Sequence, residues 1–133
     1  MNRKTTLSAL LGAVVIGTMG LAHMAEARSK DTSWQNAKPI GAPVDCIDIR
    51  SIQHTRVRSD KVIDFYISQK KIMRNELPYS CSSLGFEERF LYKTSLSRLC
   101  SIDTITVLHD AGGLSFGASC GLGKFQQVEI PKK

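Results

Sequence analysis

The chain has 133 residues, 42% of them hydrophobic and 23% charged, with a formal net charge of +6. That composition excludes a disordered or low-complexity polypeptide and fits one globular domain. The positive balance favours anionic partners over basic ones, although the lysines and arginines are scattered as ordinary solubility charge is.

Arg3 and Lys4 precede an apolar run from Leu7 to Ala22, and Ala25-Glu26-Ala27 places small residues at the two positions a signal peptidase reads. A signal peptide over residues 1–27, cleaved after Ala27, is therefore expected. The run holds 16 residues, three of them glycine, against the roughly 20 apolar residues of a membrane-spanning helix, so no span is expected after processing. Cleavage leaves 106 residues and, with Arg3, Lys4 and Glu26 gone, a charge of +5. The polar stretch 28–43, with Pro39, Gly41 and Pro43 and no apolar period, reads as a flexible N-terminal segment before a single β domain over 44–130. Trp34, inside that segment, reads as a tail residue that folds back loosely on the domain or stays mobile, with a partner anchor as the sharper alternative.

Cys46 to Ile52 starts as a strand with Ile47 and Ile49 on one side; the parity switch at Ile52 predicts a bulge, bend or short helical turn. Thr55 to Leu77 reads as a three-stranded meander. Ile63, Phe65 and Ile67 alternate with mixed residues, Met73 and Leu77 repeat the parity, and connections at Ser59-Asp60-Lys61 and Gln69-Lys70-Lys71 divide the strands. A three-residue second connection sets Ile67 opposite Met73 and Ile63 opposite Leu77; the first sets Val57 opposite Ile63. Pro78 ends the pairing, and Tyr79 to Gly85 reads as a loop.

Phe86, Phe90 and Tyr92 share strand parity, while Phe86 and Phe90 also have helical spacing; a strand is expected over Arg89 to Thr94. Ser95 to Leu99 reads as a polar connection. Ser101 to Leu108 is rich in β-branched residues with apolar side chains on both faces, which predicts a more central strand. His109 to Gly117 reads as a glycine-bearing loop and Lys124 to Ile130 as a last strand. The fold class is mostly β, a small antiparallel barrel or sandwich built on the meander.

Cys46, Cys81, Cys100 and Cys120 all follow the leader, and an even count in an exported chain reads as two disulfides. Each stabilises by about 3 kcal/mol, which matters for a small core. Three connectivities are open; Cys81 with Cys100, bracketing a compact segment, is preferred, leaving Cys46 with Cys120.

No catalytic, cofactor or metal set is expected. Gly117-Ala118-Ser119-Cys120-Gly121 has the spacing of a nucleophile elbow, but the elbow needs a strand before it, a helix after it and a histidine later in the chain, and His54 and His109 both precede Ser119. Gly121-Leu122-Gly123-Lys124 resembles the end of a phosphate loop, yet Ala118 stands where its first glycine belongs and Phe125 where Ser or Thr should follow. Successive cysteines lie 35, 19 and 20 residues apart, far from zinc-ligand or redox-pair spacing. Glu87 and Glu88 would alternate sides on a strand and share no substrate.

Cys46 to Ile49, the Val57, Asp60 and Ile63-Asp64-Phe65 positions, Asn75-Glu76-Leu77-Pro78, Ser80-Cys81, Leu84-Gly85, Leu99-Cys100-Ser101 with Ile105, and Gly117 to Phe125 resemble a family of small, exported, cysteine-containing proteins of Gram-negative bacteria whose function is unknown. The resemblance implies a periplasmic or secreted location and carries no catalytic residue. The reading it joins is a non-enzymatic β domain that binds an anionic envelope component or another macromolecule. The alternatives are a hydrolase-like enzyme assembled from scattered residues such as His54, Asp103 and His109, and, less favoured, a nucleic-acid-binding module using Tyr66 beside Arg56 and Arg58.

Overall fold

A computed structural model of the chain describes residues 31–94 and 96–131. The expected signal peptide and its cleavage after Ala27 lie outside the described residues. Among those described, no helix is long and apolar enough to cross a membrane.

The meander is present as β3 (His54–Ser59), β4 (Val62–Tyr66) and β5 (Ile72–Glu76), preceded by β1 (Lys38–Pro39) and β2 (Cys46–Asp48). Alternation drives it: Val57, Ile63, Phe65 and Met73 point one way and are buried in the core. Val57 does stand opposite Ile63, with a register shift between Val57 and Ser59. On the other side Phe65 faces Met73 and Ile63 faces Asn75, so the expected pairing is off by two residues. The cause is the turn. Ile67 and Ser68 both donate their N–H groups to the Lys71 carbonyl, and the Ser68 hydroxyl accepts from the Lys70 and Lys71 N–H groups. A tight loop over 67–71 thus replaces the three-residue connection. Because side chains alternate with period two, a two-residue slip leaves every face as expected.

Two further strands complete this sheet, whose order is β1-β10-β5-β4-β3, with β10 at Phe125–Glu129. Within its described part, the stretch 28–43 contributes β1 to this sheet. Lys38 and Pro39 pair with Glu129 and Val128, Ile40 donates to the Gln127 carbonyl, and Val44 bridges Phe125. Backbone groups left open along β10 by β5 on its other edge are what this segment satisfies.

β2 pairs with β7 (Arg98–Cys100), and β6 (Phe90–Lys93), β8 (Thr104–His109) and β9 (Ser115–Gly121) form a third antiparallel group with β8 in the middle, as its two-faced apolar pattern predicted. A 3-10 turn at Ile49–Ser51 accounts for the parity switch at Ile52. Two stretches expected to be loops hold strands: Arg98–Cys100 overlapping the Ser95 to Leu99 connection, and Ser115–Gly121 overlapping the His109 to Gly117 loop. The region before β6 is the short helix α1 (Leu84–Glu87), so Glu87 sits on a helical turn and Phe86 is exposed.

The sheets are arranged like a sandwich and do not close into a barrel. One core joins them: Phe65 of the five-stranded sheet meets Phe125 edge-on at 5.4 Å between ring centres and Phe90 of the three-stranded sheet at 6.2 Å. Both disulfides are present, but with the other partners. Cys46 and Cys100 stand directly opposite each other in the β2–β7 ladder, and Cys81 is bonded to Cys120 on β9. The expected Cys81–Cys100 and Cys46–Cys120 pairs are overturned because Cys100 belongs to a strand beside Cys46, not to a loop closing back on Cys81.

Candidate functional site

The side of the five-stranded sheet turned away from the core carries one fully buried charge, the carboxylate of Asp64. A buried carboxylate needs compensation, and two arginines supply it. Arg58 Nε donates to Asp64 Oδ2 at 2.7 Å, Arg74 Nε donates to Oδ1 at 2.7 Å, and a second Arg74 nitrogen donates to Oδ2 at 3.0 Å. Strand geometry places them. Arg74 faces Asp64 directly across the β4–β5 ladder, and the irregularity between Val57 and Ser59 carries Arg58 over the same carboxylate.

The spare nitrogens extend the network outward. Arg58 donates to the Tyr66 hydroxyl at 2.9 Å, and Arg74 donates to the Trp34 carbonyl at 2.9 Å while its guanidinium lies 5.6 Å from the Trp34 ring centre. Trp34 thus folds back on the domain and caps Arg74. His54, opposite Tyr66 in the ladder, stacks on its ring at 4.2 Å. Arg56 faces Asp64 from β3, is exposed, and makes no ion pair among the described residues.

Two guanidinium groups therefore share one carboxylate on this face, and a third, that of Arg56, comes from the strand position opposite it. The two inner ones are only 6% and 14% exposed, so water neutralises little of their charge. Because the Tyr66 oxygen accepts from Arg58, its own O–H remains to donate outward. The arrangement presents donors and aromatic edges to an acceptor-rich, negatively charged group. Glu76, the acid at the far end of β5, stands opposite Val62 and not within this cluster.

The residues singled out in the sequence go to separate places. His54 is in the stack just described. Asp103 accepts the Cys100 N–H at 2.7 Å in the turn before β8. His109 ends β8, where its Nδ1 lies 2.7 Å from a Glu87 carboxylate oxygen. No hydrogen bond or ion pair links any two of these three, and among the described residues no group of three or more His, Cys, Asp or Glu could hold a metal ion.

Gly117 to Gly121 lies in β9, not in a strand-to-helix turn; Ser119 shares a hydrogen bond with Thr106, and Gly117 leaves room for the His109 ring, which a β-carbon there would strike. Gly123 approaches the Glu76 carbonyl too closely for any side chain, which explains that glycine without phosphate binding. Tyr66, Arg56 and Arg58 do share a face, but Arg58 is turned inward to Asp64.

Sequence reading missed Asp64 and Arg74 as partners. The available signal was a charged residue at the centre of an otherwise apolar strand, with arginine at the matching parity on both neighbours. No family model matches the chain, and comparison with curated proteins and with solved structures finds no match.

Proposed function

We propose that this protein is an exported, periplasmic or secreted, non-enzymatic β domain that binds an anionic envelope component through the Arg56, Arg58, Arg74 and Tyr66 face. The observation that carries the reading is the charge count on that face: two arginines bound to one buried carboxylate and a third, Arg56, opposite it in the ladder, with aromatic rings at their edge. A phosphorylated saccharide head group matches it, since guanidinium groups pair with phosphate oxygens and ring faces stack on sugars. Two disulfides support an oxidising destination. Binding is favoured over catalysis because the histidines and Asp103, on which the enzymatic alternative rests, engage different neighbours.

The test is a titration of the mature protein with purified phosphorylated envelope glycolipid over a range of salt concentrations, beside a pull-down from periplasmic extract. Saturable binding that weakens steeply with salt, and about fivefold with Arg56→Ala, is expected. Absence of a retained partner in both experiments sinks the proposal, and a nucleic acid recovered in the pull-down replaces it.

A further inference from the structure

A second feature of the molecule is apolar and lies on the core side of the same sheet. Between the N-terminal segment and the β4–β5 loop runs a groove of about 520 Å³, with Met73 and Ile47 at its floor and Ile67 beside them. Ile40 and Val44 form its wall and are 42% and 43% exposed, on a segment whose backbone is held. It is held firmly. Ile40 and Val44 each donate an N–H at 2.8 Å to β10, and the Gln126 side-chain amide donates to the Ile40 and Gly41 carbonyls at 3.0 and 3.1 Å. The groove is thus preformed and apolar, as small-ligand sites usually are.

Its mouth is charged. Lys71 lines it with no ion-pair partner among the described residues, next to Lys70 in the same turn, while Asp48, the one acid among the described lining residues, accepts the Arg50 N–H and lies 3.8 Å from the Arg50 guanidinium. The balance at the rim is positive.

We infer that this groove is a binding site for a single acyl chain bearing an anionic head, with the chain against Ile40, Val44, Ile47 and Met73 and the head at Lys71. The site lies apart from the arginine face and stands whether or not that face binds glycolipid. A carboxylate and a phosphodiester share the required chemistry, so the experiment separates a free fatty acid from a lysophospholipid.

The full mature protein is titrated calorimetrically with dodecanoate, with lauroyl lysophosphatidylglycerol and with dodecyltrimethylammonium, each below its critical micelle concentration. Saturable one-to-one binding of at least one anionic probe is expected, the tighter of the two identifying the head group, with the cationic probe about fivefold weaker or worse. Lys71→Glu, an exposed change that leaves the fold intact, removes or reverses that preference. Ile40→Asn weakens every probe by about tenfold through loss of wall area, whereas Arg56→Ala changes none of the titrations. The inference fails if no probe binds, if anionic and cationic heads bind alike, or if both groove variants bind as the parent does.

Discussion

Asp64 shows how much one residue settles. Its carboxylate accepts from three donors on two arginines, and each arginine passes a further donor outward to Tyr66 or Trp34. Removing the carboxylate leaves two nearly buried guanidinium groups facing each other without their counter-charge, the costly way to break a buried pair. Asp64→Ala is therefore expected to lower stability by about 3 kcal/mol in urea unfolding, with Asp64→Asn losing less because its amide oxygen still accepts. Equal, negligible effects from both substitutions would show that the arginines reach solvent unaided. Charge and parity along β4 and β5 made this cluster legible in principle: Asp64 is the one charged residue of β4, and Arg74 stands at the matching parity on β5. What the sequence could not display was the shift near Arg58, which decides whether that side chain points to Asp64 or to water.

Among the elements, those built from alternation were readable and those built from long-range partners were not. The three meander strands, the turn after Ile49 and the central strand Thr104–His109 follow from local pattern. The strand Arg98–Cys100 does not, because three residues carry no period and it exists through pairing with Cys46–Asp48. Ser115–Gly121 was hidden by its glycines, which look like a loop until His109 is seen to need the space over Gly117.

The join between β5 and the connection leading to β10 has the same long-range character. Asn75 is fully buried, donates its amide to the Gly123 carbonyl at 2.7 Å, and accepts the Gly123 N–H at 2.8 Å. That two-way lock holds the chain where Gly123 touches the Glu76 carbonyl. Asn75→Ala leaves both Gly123 groups unsatisfied in a closed space, so a loss of about 2 kcal/mol is expected, together with faster hydrogen exchange at the Gly123 amide than at Phe125. Unchanged protection at Gly123 would mean that water replaces the side chain and the lock is not needed.

At the scale of the whole molecule, the disulfides decide which parts stay together when the core is disturbed. The Cys46–Cys100 bond closes 54 residues and spans two facing strands, while Cys81–Cys120 closes 39 and fastens the loop before α1 to β9. Loop entropy alone assigns each about 4 kcal/mol, comparable with the net stability of a small domain. Their surroundings differ more than their loops do. Cys81 is fully buried in the core cluster while its partner Cys120 is partly exposed on β9, and Cys46 and Cys100 are both partly exposed on a pair of short strands. Thiol attack requires access to a sulfur, and both sulfurs of Cys46–Cys100 belong to partly exposed residues but only one of Cys81–Cys120 does, so a gentle reductant should open Cys46–Cys100 first. Alkylation of the native protein during stepwise reduction, followed by peptide mass mapping, should label Cys46 and Cys100 before Cys81 and Cys120. Labelling in the reverse order, or of all four together, would mean that the two strands protect their bond better than the core protects the other, and that β2 and β7 are not the looser part of the sandwich.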